Sequence, residues 1–123
     1  MSLPKLLFIE RHGPLAQLLK ETLSRESGLV VVGEVESVQE ALPLLLTGGI
    51  DAVIVDLNVA DMGRLEAISI ILDSAPSTRV ILLIDQDDQR YHEAAAEKGV
   101  QACVPKQLIA TELIPAVQNV LVN

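Results

Sequence analysis

Residues 50–58 read Ile50-Asp51-Ala52-Val53-Ile54-Val55-Asp56-Leu57-Asn58. From Ile50 to Val55 the run is apolar but for Asp51, and it ends on Asp56, after which Asn58 to Gly63 reads as a loop. A short strand that is apolar almost throughout is buried on both faces, as strands of parallel sheets are. Its last residue is then carried to the carboxyl edge of the sheet, where α/β domains bind their ligands.

The same alternation extends on both sides. Upstream, Leu6–Ile9 is an apolar run, and Pro14–Glu26 places Leu15, Leu18, Leu19 and Leu23 at helical spacing. Leu29–Val32 is a further apolar run closed by Gly33. Ser37 with Glu40 three residues on forms a capping box, and the helix it opens is expected to run to Gly48-Gly49. Pro43 must kink that helix or lie near its first turns. Downstream, Arg64–Ser74 has Leu65, Ile68, Ile71 and Leu72 on one helical face, and Val80–Ile84 is a continuous apolar strand. Asp87–Lys98 is a polar helix stopped by Gly99, Gln101–Pro105 a short strand, and Ala110–Leu121 a last helix with Pro115 in its second turn. Strands alternating with helices in this way predict an α/β fold, a doubly wound, five-stranded parallel sheet with right-handed connections.

The 123 residues fit one domain spanning 1–123, with no repeat or linker. Half of the residues are hydrophobic, but only Phe8 and Tyr91 are aromatic, so Leu, Ile, Val and Ala must build the core. Nine basic against 17 acidic residues give a formal net charge of −8. An acidic surface repels phosphate backbones, which argues against direct nucleic-acid binding. Cys103 is the only cysteine, which excludes an internal disulfide and a Cys-based zinc cage. It lies in the apolar run Ala102–Val104 and reads as a small core residue. No apolar run approaches the roughly 20 residues of a membrane span, and the start lacks a signal-peptide layout. The expected location is the cytoplasm.

Chemistry is therefore sought at the strand ends. They carry Glu10-Arg11-His12, Glu34–Glu36, Asp56, Ile84-Asp85 and Pro105-Lys106, so the first, third and fifth strands deliver ionisable groups to one edge. Neither a dinucleotide fingerprint nor a P-loop is present, nor a nucleophile elbow. His12 and His92 have no metal-ligand spacing.

The stretches Leu6–His12, Asp51–Glu66 and Gly99–Lys106, taken together, resemble a response-regulator receiver domain over essentially the whole chain. The similarity is greatest to the subfamily that precedes a helix-turn-helix output domain. The resemblance implies a flavodoxin-like sheet of order 2-1-3-4-5 and a role in two-component signalling and transcription regulation rather than as an enzyme. It matches Asp56 to the phosphoacceptor and Lys106 to the phosphate-pairing lysine. It also matches Glu10, Asp56 and the backbone carbonyl of Asn58 to the Mg²⁺ ligands. It implies a histidine kinase or another signalling protein as partner. A homodimer through the fourth helix, fifth strand and fifth helix would use Gln89, Arg90, His92 and Glu93. A DNA-binding domain would follow the last helix if the chain is excised from a longer regulator, although a stand-alone receiver would stop there too.

Three positions depart from the family. Arg11 stands where the second metal-binding acid belongs, Ile84 replaces the Thr or Ser whose hydroxyl meets the phosphoryl group, and Cys103 replaces the aromatic switch residue. Pro105 also precedes Lys106, where the family often has a proline after it. Glu10 and Asp56 against Arg11 and Lys106 sum to zero formal charge, which disfavours Mg²⁺. A guanidinium about 4 Å from a carboxylate gains roughly 4 kcal/mol at an effective dielectric of 20, or about 1 kcal/mol or less if well solvated. Arg11 is expected to pair with Asp56 or Glu10, the alternative being that it turns to solvent. Three readings follow: a phosphoacceptor receiver with impaired metal and switch chemistry, a pseudo-receiver acting as a phosphorylation-independent interaction module, and an unrelated flavodoxin-like cofactor-binding domain.

Overall fold

The computed structural model describes residues 3–11, 13–26, 28–56, 64–85 and 88–122, without the side chains of residues 64 and 65. Five strands, β1 (Lys5–Ile9), β2 (Val30–Val35), β3 (Ala52–Asp56), β4 (Arg79–Ile84) and β5 (Ala102–Pro105), alternate with five helices among these residues. The helices are α1 (Gly13–Ser24), α2 (Val38–Leu46), α3 (Arg64–Ser74), α4 (Gln89–Glu97) and α5 (Ile109–Leu121), and a 3₁₀ turn covers Lys106–Leu108. The strands form one parallel sheet, as the alternation predicts, in the order β2-β1-β3-β4-β5 that the resemblance implies.

Alternate strand residues feed two cores, because successive side chains point to opposite faces. Leu7, Val53, Val55, Val80 and Leu82 meet Val38, Ala41, Ile68 and Ile71 of α2 and α3, with Ala95 of α4. Phe8, Ile54, Ile81 and Leu83 meet Leu19 of α1 and Ile109, Leu113 and Val117 of α5. Every residue of β3 is buried, Asp56 included.

At β2, Gly33 closes the apolar run but not the strand, which runs on to Val35, within the expected end Glu34–Glu36, with Gly33 opposite Leu7. The register shifts between Leu6 and Leu7, and a Cβ at Gly33 would come within 3.2 Å of the Leu7 side chain. The glycine thus permits a close, irregular approach inside the strand. The expected burial of β2 on both faces needs correcting: Val30, Val31 and Val32 are each about 40% exposed, because β2 is an edge of the sheet.

Helix ends follow the local chemistry. The Glu40 amide donates to Ser37 Oγ (3.1 Å), and the Glu40 carboxylate accepts from the Glu36 amide (3.4 Å), so the expected cap is made with its return bond one residue earlier. Gly48 and Gly49 follow α2 at φ 80° and 87°, a left-handed conformation that glycine adopts without strain. Pro43 lies inside α2 and Pro115 inside α5. Both are exposed, as are Gln39 and Thr111 four residues before them, so water can take the carbonyls that lose their donors. Helix α4 begins at Gln89 with Asp88 as its cap, while the expected start at Asp87 lies outside the described residues.

Candidate functional site

The sheet order puts β1, β3, β4 and β5 side by side, so their carboxyl ends share one edge. Glu10 follows β1 and is 5% exposed, with its amide donating to the Val35 carbonyl (3.0 Å). Asp56 closes β3, also 5% exposed and opposite Leu83 of β4. Lys106 follows Pro105, which is buried opposite Ile84. Because β5 ends the sheet, a proline there forfeits no ladder donor to a further strand. Its φ of −61° leads directly into the 3₁₀ turn that starts with Lys106.

Lys106 Nζ lies 2.8 Å from Asp56 Oδ1 and 2.7 Å from Asp85 Oδ1. The two carboxylates differ in setting: the Asp56 side chain is 6% exposed and that of Asp85 55%. Partial burial opposes the charged ammonium, but the hydrogen bonds and charges of Asp56 and Asp85 outweigh it, so the Lys106 pKa lies above its ordinary value. Gln107 Nε2 donates to the Asp85 carbonyl (2.8 Å), tying the end of β4 to the 3₁₀ turn. A cleft of about 610 Å³ opens over these groups, walled by Pro14, Leu15 and Leu18 of α1 and by Arg11.

The structure thus brings Asp56 and Lys106 together and adds Asp85, which the sequence reading did not include in the site. The signal was its position directly after β4 on the same edge. With Asp85 counted, Glu10, Asp56 and Asp85 oppose Arg11 and Lys106, and the formal sum is −1 rather than zero. The expected pairing of Arg11 is overturned. Its side chain is exposed, and no ion pair among the described residues joins it to Asp56 or Glu10. Lys106 already neutralises Asp56, so a guanidinium would surrender hydration for little further gain.

Ile84 is fully buried in the core beneath α2, α3 and α4, where it extends the apolar strand. Cys103 is half-buried against the same core, and burial pushes its thiol up to about 11, which keeps it protonated and unreactive at neutral pH. His12, Asn58 and the stretch Asp61–Gly63 lie outside the described residues. Glu10 and Asp56 offer carboxylates suited to a hard cation. However, the residue after Glu10 is the cation Arg11 on the cleft wall, Lys106 holds Asp56 Oδ1, and no group of three His, Cys, Asp or Glu suited to a metal occurs among the described residues. This donor set does not fit a complete Mg²⁺ cage.

The family described as response regulator receiver domain matches residues 6–118. The chain is similar to the transcriptional regulatory protein DegU of Brevibacillus brevis, 25% identical over 116 residues, covering 94% of this chain and 49% of that protein. It is 28% identical over 115 residues to the response regulator protein VraR of Staphylococcus aureus strain Mu3, covering 94% of this chain and 55% of that protein. The chain therefore spans about half the length of these relatives. Its fold is that of a LuxR-family two-component response regulator from Aurantimonas sp. SI85-9A1, with TM-score 0.88, 23% identity and coverage of 98% of this chain and 86% of that one. It is equally that of the signal receiver domain of the NarL response regulator from Mycobacterium tuberculosis, with TM-score 0.88, 20% identity and coverage of 100% and 99%. Such domains generally bind Mg²⁺ at the phosphorylation site and signal without enzymatic turnover. No helix among the described residues is long and apolar enough to cross a membrane. The match runs from the first core residue of β1 into the last turns of α5, so every strand end that shapes the cleft falls within it, and the chain belongs to the response-regulator receiver domain family.

Proposed function

We propose that Asp56 is the phosphoacceptor of this receiver domain and that Lys106 is the cation that pairs with the phosphoryl group. The supporting observation is the Lys106 Nζ–Asp56 Oδ1 contact of 2.8 Å at the end of β3, with Asp56 otherwise shielded from water but facing the cleft. Phosphoryl transfer needs positioning and neutralisation of charge more than covalent help from the protein. Lys106 supplies that charge here, and Arg11 on the cleft wall supplies more. Mg²⁺, if bound by Glu10, Asp56 and the Asn58 carbonyl, is held weakly against Arg11. With Ile84 and Cys103 in place of a hydroxyl and an aromatic ring, the usual relay to the α4–β5–α5 surface is impaired.

The phosphodonor would be a histidine kinase, and the setting a cytoplasmic signalling pathway. The similarity to a transcriptional regulatory protein about twice this length supports a DNA-binding domain beyond the receiver, and the α4–β5–α5 face is the surface through which two copies would pair.

The test is incubation with acetyl phosphate, with and without Mg²⁺, read by intact mass. A single phosphoryl adduct is expected, absent in Asp56→Asn and changed only modestly by Mg²⁺. Absence of any adduct in a folded protein would leave a phosphorylation-independent interaction module.

A further inference from the structure

Lys106 bridges two unlike carboxylates. Asp56 is nearly buried and fixed at the end of a central strand, whereas Asp85 is 55% exposed. Their oxygens, 2.8 and 2.7 Å from one nitrogen, lie within 5.5 Å of each other, the sum of those distances. Any anion that arrives on Asp56 therefore meets both the lysine and the charge of Asp85.

We infer that Asp85 is the switch residue of this site: it clasps Lys106 in the unphosphorylated form and is expelled when a phosphoryl group on Asp56 takes over the lysine. The inference rests on Asp56 being the phosphoacceptor. In the transfer from an acyl phosphate, an Asp56 carboxylate oxygen attacks phosphorus and forms the new P–O bond. The P–O bond to the acyl group breaks, and the acyl carboxylate leaves with the electron pair, so no proton has to move. Asp56 then carries about two negative charges on the phosphoryl oxygens. One ammonium cannot serve that group and Asp85 equally, and the weaker claim is displaced. Asp85 yields because its half-exposed carboxylate regains water at little cost, while the buried Asp56 cannot leave.

The departure has somewhere to be felt. Asp85 directly follows Ile84, the buried residue that lacks the family's hydroxyl. Its carbonyl is held by Gln107 next to Lys106 (2.8 Å). Repulsion at Asp85 thus reports the phosphoryl group to the end of β4 and the start of the 3₁₀ turn, where attraction of a hydroxyl is impossible. The same charge also restrains the forward reaction, because it repels an anionic donor and occupies the lysine.

The experiment compares wild type, Asp85→Asn, Asp85→Glu and Asp56→Asn with acetyl phosphate, at low and high salt, by intact mass and by the Gln107 side-chain amide NMR signal. Asp85→Asn is expected to form the Asp56 adduct roughly five- to tenfold faster, the worth of one partly screened charge at this distance. Asp85→Glu should return toward the wild-type rate, and salt should accelerate wild type more than Asp85→Asn. Phosphorylation should move the Gln107 amide signal in wild type and much less in Asp85→Asn. Equal rates in wild type and Asp85→Asn, with adduct on Asp56 in both, would overturn the role of Asp85 and leave the phosphoacceptor standing. An adduct on none of the four proteins would overturn both.

Discussion

Two ion pairs in this molecule have the same length and different surroundings. Lys106–Asp56 and Arg90–Asp88 each measure 2.8 Å. The first joins a 23% exposed lysine to a 6% exposed carboxylate across two strand ends, and the second joins an 87% exposed arginine to its neighbour but one in the chain. Distance alone does not rank them. Water screens the second pair through Arg90, and Asp88, although only 24% exposed, is not cut off from water as Asp56 is, so the worth of that pair is small. Removing Lys106 leaves a carboxylate that water reaches poorly. The comparison separates charge used to build a site from charge used to finish a helix end.

The largest expected effect is therefore at Lys106. Lys106→Met should lower the urea-unfolding free energy by roughly 2–3 kcal/mol, less than a fully buried pair because the lysine is partly solvated. Asp56→Asn in the same chain should recover most of that loss. A double-mutant cycle on Arg90 and Asp88 should show far weaker coupling. Similar coupling energies for the two pairs would refute the ranking by burial.

The strand-end logic that makes this site legible in the sequence has definite reach. Val53–Val55 and Leu82–Ile84 are apolar throughout and read as buried parallel strands, which puts Asp56 at the carboxyl edge. That Lys106 arrives near it rests on the order β3-β4-β5, which the receiver resemblance implies. Where a flexible side chain then ends is decided by small differences in solvation. Arg11 was expected on a carboxylate and turns to water, while Lys106 reaches one carboxylate too many for a strand-by-strand count and thereby recruits Asp85. Gly33 ends the apolar run, but pairing with Leu7 overrides the local breaker and carries β2 on to Val35. The exposure of Val30–Val32 follows from strand order, which alternation of elements alone does not state.

Ile84, inside the span that Asp56 and Lys106 close, gives the next largest effect. Ile84→Thr puts a hydroxyl at the end of β4, as the receiver resemblance implies, but removes buried apolar atoms and introduces a polar group into the core beneath α2, α3 and α4. A loss of about 1–2 kcal/mol in chemical denaturation is expected. Full stability in Ile84→Thr would mean that the hydroxyl finds a partner at the buried edge, and would place the site closer to an ordinary receiver.

Alkali should weaken the site pair and spare the helix-end pair. The folded Lys106 pKa lies above the ordinary 10.5. The ammonium therefore contributes stability that is fully present below the unfolded value and is lost as pH rises through the higher folded value. The Cys103 thiol, raised to about 11 from 9.0, also favours the protonated folded state and would blur the reading from pH 9 upward. In a Cys103→Ala background, the wild-type lysine should therefore show a fall in stability above about pH 10.5 that Lys106→Met lacks. Parallel curves for the two proteins would contradict the raised lysine.

Acid tests the other pair, with the smallest and most local effect. The Arg90 side-chain hydrogen bond, helped by the Arg90 amide, holds the Asp88 carboxyl down at about 2 against an ordinary 3.8. A depressed carboxylate contributes stability above its unfolded value and loses that contribution as pH falls through the folded one. The window is therefore pH about 4 to about 2. What is lost there is the cap on the first turn of α4, because the Asp88 side chain accepts the Arg90 amide at 2.9 Å and a protonated carboxyl accepts it less well. The protection of the Arg90 amide, its exchange rate relative to the intrinsic rate at each pH, should fall across that window in wild type and be absent throughout in Asp88→Ala. The unfolding midpoint should differ little between the two proteins at neutral pH, because Arg90 is 87% exposed and Asp88, at 24%, still reaches water when it loses its partner. A large drop in midpoint for Asp88→Ala would show that the exposed pair contributes global stability and would erase the distinction between the two regions.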